Sequence, residues 1–176
     1  MSAADTLAIR AERPQDRAAI SEVNVRAFGR ADEARLVDEL RGSRAFIPDL
    51  SLVAECDGRV VGHVLFSRIV IQTGGGDVPA LALAPVAVEP ELHKRGIGAA
   101  LIGCGLGRAR ELGHRIVIVL GHATYYPRFG FAPASRRGIT APFPVRDESF
   151  MYCDLVTDAS VGVRGTVQYP PPFGAV

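Results

Sequence analysis

His93-Lys94-Arg95-Gly96-Ile97-Gly98 sets two glycines at alternate positions behind a basic cluster, between an apolar run ending at Val88 and an alanine- and leucine-rich stretch. Such a loop suits an anion. Without a Cβ at 96 and 98 the backbone can approach a bulky phosphate, and N–H groups at a helix start can point at its oxygens. The aligned peptide dipoles of the helix add partial positive charge at the same place. A pyrophosphate seat is therefore the chemistry expected of His93 to Gly98. Further on stand His122 and the turn Tyr125-Tyr126-Pro127-Arg128-Phe129-Gly130-Phe131, which gather an imidazole and two phenols close to one strand end.

Rival readings of the glycines fail on particular letters. A dinucleotide fingerprint needs a third glycine where Leu101 stands, and an acidic residue closing a strand that here ends Leu120-Gly121-His122. A phosphate loop of the Walker type needs Gly-Lys-Ser/Thr, which is missing from the chain. Gly74-Gly75-Gly76 reads as a flexible connection. Gly103, Gly105 and Gly107 alternate inside a helix, and their expected use is close helix-to-sheet packing. The three cysteines (Cys56, Cys104, Cys153) and four histidines (His63, His93, His114, His122) have no metal or redox spacing. No metal site is expected.

The elements that must carry these groups are legible in outline. Leu7 to Arg10 reads as a strand, and Pro14 opens a helix with Ile20, Val23 and Ala27 on one face. Phe28-Gly29-Arg30 makes a bend, after which Asp32 is the expected N-cap of a second helix through Leu36, Val37 and Leu40 to Gly42. Asp57-Gly58 joins strands Leu52 to Cys56 and Arg59 to Gln72 as a hairpin. Leu81 to Glu89 is a third antiparallel neighbour. The helix after the anion loop ends at Leu112-Gly113, and Arg115 to Leu120 is a strand buried on both faces. Ser149 to Val156 and Val163 to Tyr169 complete a mixed sheet, and Pro170-Pro171-Pro172 reads as a stiff chain end.

Composition bounds the rest. The chain has 176 residues, is 48% hydrophobic and carries a formal net charge of +1 with no long charged block, so it lacks the basic footprint of a nucleic-acid binder. No segment approaches the ~20 apolar residues needed to cross a bilayer. A single domain over residues 1–176, cytoplasmic and without a membrane partner, is the expectation.

LAPVAVEPELHKRGIGAALI followed by LGHATYYPRFGF resembles the acyl-CoA-binding core of the GNAT superfamily of N-acetyltransferases. It is most similar to the bacterial acetyltransferases whose tyrosine turn ends in Phe-Gly-Phe, and the likeness runs from Ile9-Arg10 to Gly165–Tyr169. The resemblance implies an α/β (α+β) fold: a mixed, mostly antiparallel sheet flanked by helices, with a splayed strand pair forming an acyl-CoA cleft. It implies acetyl-CoA or coenzyme A as co-substrate, bound by Val86, Ala87 and Val88 and by the loop His93, Lys94, Arg95, Gly96, Ile97, Gly98 and Ala99. His93 stands where the family has glutamine or arginine, a departure expected to alter affinity rather than abolish a site built from backbone groups. Tyr126 stands four residues before Gly130, the family's proton-donating position. One N–H of the Val86 to Val88 strand is expected to polarise the thioester carbonyl, and Val86 is the choice. The general base stays open: relatives with a glutamate six residues before the valine matching Val88 have Ala82 here, which leaves His122 and Glu33.

The reaction implied is transfer of an acetyl group to a primary amine, small-molecule or peptide, by direct attack. A non-catalytic CoA-binding module, or transfer of a longer acyl group, are the alternatives. A homodimer is compatible with the pattern.

Overall fold

Leu7–Ala11 forms the first strand, β1, of the computed structural model, which describes residues 6–175; the ends of the expected 1–176 domain lie outside them. The 3-10 turn Pro14–Asp16 leads into helix α1 (Arg17–Phe28), which buries Ile20 and Val23 as their spacing predicts, together with Asn24. Gly29 ends it at φ +69°, its N–H on the Val25 carbonyl at 2.8 Å, a left-handed cap that costs glycine no Cβ clash. Helix α2 (Asp32–Arg41) follows at once and buries Leu36, Val37 and Leu40. The expected cap is displaced by one residue. Ala31 holds the N-cap, and Asp32 already lies in the first turn, its carboxylate paired with Arg35 and facing the positive end of the helix dipole.

Strands β2 (Ser51–Cys56) and β3 (Arg59–Thr73) meet at Asp57-Gly58, where φ is +50° and +75°, as a two-residue hairpin of type I′ requires. β4 (Gly76–Val88) begins at Gly76 rather than Leu81. The glycine run is a tight turn and not a loose connection: Thr73 Oγ1 accepts the Gly75 N–H at 3.2 Å and donates to the Gly76 carbonyl at 2.6 Å. There follow α3 (Ile97–Glu111), β5 (Ile116–Leu120), the short β6 (Ala132–Pro133) and β7 (Ile139–Thr140), then β8 (Phe150–Asp154) and β9 (Gly165–Gln168). They form one nine-stranded sheet in the order β1-β2-β3-β4-β5-β8-β6, with β9 paired to β3 and β7. Only the β4–β5 and β7–β9 pairs are parallel, so the sheet is mixed and mostly antiparallel.

Because side chains alternate across a strand, each face of the sheet takes its own helices. Leu101, Ile102 and Ala109 of α3 pack on Leu52, Val64 and Phe66, while Ile20, Val23 and Leu40 pack on Val53, Leu65 and Ala87 of the opposite face. A Cβ on Gly105 would lie 2.1 Å from the Phe66 ring, whereas one on Gly103 or Gly107 meets nothing within 4 Å. Close helix-to-sheet packing thus belongs to Gly105 alone. The terminal prolines do not form a free stiff end. They enter a 3-10 turn, Pro171–Ala175, whose Phe173 packs against the α1–α2 core and the cluster around Ile118 and Val167.

Candidate active site

The anion loop ends in Gly96, the N-cap of α3, at φ +81°. No side chain caps the helix, and its first intrahelical bond is Ala100 N–H to the Gly96 carbonyl at 3.0 Å. The N–H groups of Ile97, Gly98 and Ala99 therefore have no helical acceptor. Lys94 and Arg95 are exposed beside them, while the Ile97 side chain is buried in the core, so that residue offers its backbone only. The His93 imidazole is turned away from the loop: its Nε2 lies 2.9 Å from the Val88 carbonyl oxygen.

β4 supplies the second part. It pairs with β5 only at Leu81↔Val117 and Ala82↔Ile118, and beyond these positions the strands part. Its pairing with β3 is broken by a bulge between Val64 and Phe66, opposite Ala84-Pro85, where proline has no N–H to donate. The Glu89 N–H donates to the Val61 carbonyl at 2.9 Å. By alternation along the strand, the Ala87 N–H also faces β3, and those of Val86 and Val88 face the gap left by β5. Ala87 is turned into the core under α1 and α2, at 2% exposure. Of the expected trio, then, Val86 and Val88 face the cleft and Ala87 does not.

The tyrosine turn closes the far end. The His122 carbonyl accepts the N–H groups of Tyr125 at 3.1 Å and Tyr126 at 3.3 Å, which starts the 3-10 turn Tyr126–Phe129. Gly121 lies under the Tyr126 ring, where a Cβ would come within 2.2 Å of Cε2. Burial, with a smaller effect from neighbouring Tyr125, pushes the Tyr126 phenol up to about 12. Tyr125 stands edge-on to it, centroids 5.2 Å apart, with the Arg128 guanidinium 4.4 Å over its other side. The Tyr125 hydroxyl reaches back to the anion loop, 3.6 Å from where a Cβ of Gly98 would be. Val88 Cγ2 is 3.7 Å from the same point, so loop, strand and turn converge on Gly98.

Beside this channel lies a cavity of about 500 Å³, lined by Val86, Tyr126, His122, Glu33 and Arg30, with Phe28 and Phe143 among its aromatic walls. Both Glu33 oxygens accept from Arg30, at 2.5–3.1 Å. The His122 side chain is exposed. Ala82, where a glutamate could have stood, is part of the floor. Cys104 and the other cysteines do not line the cavity, and burial, followed by Asp154, raises the Cys153 thiol to about 11.

Some residues could not be read from spacing. Phe143 and Phe173 line the cavity from segments whose sequence signal is only proline punctuation, and Tyr169 from the end of the last expected strand. A buried polar chain also went unread. Asn24 Nδ2, a donor only, lies 3.4 Å from His63 Nδ1, so Nε2 carries the proton and donates to Ser51 Oγ at 2.9 Å. Ser51 in turn donates to Glu12, which is paired with Arg41 at 2.7 Å. His63 is wholly buried and none of these groups lines the cavity, so the chain ties α1, α2, β2, β3 and the residue that follows β1 together. Among the described residues no group of His, Cys, Asp or Glu is placed to hold a metal ion, and no helix is long and apolar enough to cross a membrane.

The chain is similar to known proteins over most of its length. Residues 8–134 match the family model of the acetyltransferase (GNAT) domain. Escherichia coli K12 has two similar N-acetyltransferases, both uncharacterised. YjhQ is 46% identical over 135 residues, 76% of this chain and 74% of YjhQ. YhbS is 36% identical over 166 residues, 94% and 97% of the two chains. The crystal structure of E. coli YhbS in complex with CoA superposes with a TM-score of 0.91 at 33% identity, covering 99% of this chain and 95% of that one. A GNAT family acetyltransferase from Brucella melitensis in complex with acetyl-CoA gives 0.78 at 35% identity, covering 96% and 98%. With its splayed β4–β5 pair and a family match across most of its length, this chain belongs to the GNAT family of N-acetyltransferases.

Proposed function

We propose that the chain moves an acetyl group from acetyl-CoA to a primary amine by direct attack, with each residue of the channel in a defined role. The observation that carries this is the parting of β4 from β5 after Ala82, which leaves Val86 and Val88, still paired with β3, without a partner strand on their other side. The residues fit the co-substrate. Ile97, Gly98 and Ala99 N–H groups, with Lys94 and Arg95, receive the pyrophosphate, and a Cβ at Gly96 would have open space around it, as a backbone seat needs. The N–H of Val88, the carbonyl of which is engaged by His93, and the Val86 carbonyl serve the pantetheine amides, and the Val86 N–H is the donor to the thioester carbonyl. Acetyl-CoA supplies the activated acetyl group. The Cys153 thiol stays protonated, and no cysteine faces the cavity, which supports attack without a covalent enzyme intermediate.

A lysine-like amine has a pKa of ~10.4, so presenting it neutral at pH 7 costs about 4.6 kcal/mol. His122 takes that proton: its exposed side chain lines the cavity, whereas both oxygens of Glu33 are engaged by Arg30. Tyr126 serves the leaving sulfur. With the phenol near 12, full transfer to a thiolate of ~8.5 would be uphill by roughly 5 kcal/mol. Tyr126 therefore acts first as a hydrogen-bond donor, its proton moving only as charge builds on sulfur. A cytoplasmic setting goes with this reading.

Calorimetry with acetyl-CoA and thiol release in the presence of amines test the proposal together. Acetyl-CoA binds the wild type, Gly96→Val loses most of that affinity because valine does not hold a φ of +81°, and His93→Gln retains it. Binding that survives Gly96→Val unchanged, or a protein that binds acetyl-CoA yet releases no thiol with any amine, leaves a CoA-binding module and not a transferase.

A further inference from the structure

We propose that the acceptor is a small primary amine carried on an aromatic body, a narrowing that rests on the acetyl-transfer reading above. The cavity beside Tyr126 is walled by rings from four separate segments: Phe28 at the end of α1, Phe143 after β7, Tyr169 after β9 and Phe173 in the C-terminal turn. Phe143 stacks on Tyr169, centroids 6.0 Å apart and planes inclined by 23°, and Tyr169 lies 5.0 Å from Phe173. These contacts hold the rings in place before any ligand arrives. Phe28 and Phe143 nonetheless keep 40% and 42% of their surface exposed, so an incoming ring would cover apolar surface that the fold leaves in water.

Size and charge narrow the class further. A cavity of about 500 Å³ lies within the range of small-molecule sites, and part of it must take the acetyl end of the donor. Phe173, packed against two core clusters, is a fixed part of the lining. Among the described residues the only carboxylate in the lining is Glu33, already paired with Arg30, so a polyamine finds no row of anions there. His122 lines the same cavity as the aromatic faces, which attract a single ammonium group. The nitrogen lone pair then forms the C–N bond as the C–S bond breaks. Of the two protons that the ammonium loses, one ends on the sulfur of coenzyme A through Tyr126, and the other passes by His122 to solvent.

Initial rates of thiol release with acetyl-CoA and 2-phenylethylamine, spermidine or a lysine-containing peptide decide between the classes. Phenylethylamine is expected to exceed the others in kcat/KM by about tenfold or more, the worth of burying one ring. Phe173→Ala should raise its KM by a similar factor at unchanged acetyl-CoA affinity. Phe143→Ala, at a position outside the core clusters, is the variant whose folding is safe and should do the same. The proposal is overturned by a preference for spermidine or the peptide, by Phe143→Ala leaving the KM for phenylethylamine unchanged, or by acetyl-CoA binding with no turnover of the aromatic amine. The transferase reading itself fails where calorimetry shows no acetyl-CoA binding, or where acetyl-CoA binds and none of the three amines releases thiol; turnover of spermidine or the peptide without the aromatic amine overturns the aromatic class alone.

Discussion

Tyr125 and Tyr126 are adjacent letters with different surroundings, and their substitutions should separate binding from chemistry. Tyr126→Phe keeps the ring over Gly121 and removes only the oxygen, so acetyl-CoA affinity should stay within a few fold while turnover falls by about 10²-fold or more. Wild-type turnover on a substrate whose chemical step limits the rate would return Tyr126 to the packing residues. The raised phenol adds a pH signature: with Tyr126 near 12, the donor stays protonated throughout the neutral and mildly alkaline range. Any loss of kcat/KM between pH 8 and 10 must come from another group, and Tyr126→Phe should leave the position of that limb unmoved. Tyr125 is set differently. Its hydroxyl instead stands over Gly98, so Tyr125→Phe should weaken acetyl-CoA binding more than it slows the bound complex, as paired calorimetry and single-turnover rates would show.

At the scale of elements, α3 carries two demands that glycine meets in different ways. Gly96 supplies the left-handed entry to the helix, and Gly105 supplies close approach to β3. Alanine at 105 would drive a methyl group to within 2.1 Å of the Phe66 ring, itself wholly buried, and overpacking of this kind costs about 1–3 kcal/mol. Alanine at 103, where nothing stands within 4 Å, should stabilise by up to about 1 kcal/mol through helix propensity. Urea unfolding of the two variants should therefore shift in opposite directions, and shifts of the same sign would mean that α3 does not seat on β3 as described. Periodicity could place this helix between the anion loop and Gly113, because an apolar face is a local pattern. It could not rank the glycines, since only the partner strand decides which of them has a neighbour.

For the whole molecule, two linked equilibria can be read. Acetyl-CoA at 100 times its dissociation constant should add about 2.7 kcal/mol to stability, several degrees in Tm; an unchanged melt at saturation would count against the channel. The second equilibrium is the buried chain through His63. Burial holds its imidazole down to about 4, with Glu12 opposing this and Arg41 reinforcing it. An unfolded histidine at ~6.5 binds its proton first as pH falls, so stability is complete above pH ~6.5 and declines from there toward pH ~4, by roughly 3 kcal/mol. Glu12 adds to the loss further down. Burial alone would raise its carboxyl, but hydrogen bonds from Arg41 and Ser51 bring it below the usual range, so its contribution disappears as it protonates. His63→Gln retains a donor toward Ser51 without a titrating ring. Its unfolding free energy should be flatter between pH 6.5 and 4.5, and a slope equal to that of the wild type would place the pH dependence elsewhere.

What the chain determined by itself is what short-range chemistry can express. Asp57-Gly58 specifies its hairpin, Gly96 and Gly98 mark the anion loop, and Tyr126 sits at a set distance from Gly130, because backbone sterics and spacing act over a few residues. The cap of α2 missed by one position and the Gly74-Gly75 turn was tighter than its composition implied, since both depend on where the chain goes next. Only the tertiary structure decided that β4 leaves β5 after Ala82, that Ala87 turns inward while Val86 and Val88 face the gap, and that Glu33 shares a cavity with Tyr126. The aromatic wall shows the reason most plainly. Phe28, Phe143, Tyr169 and Phe173 have no common period, and they meet because two helices, a sheet edge and a folded C-terminal turn are packed by hydrophobic burial, which is roughly proportional to area and indifferent to sequence order.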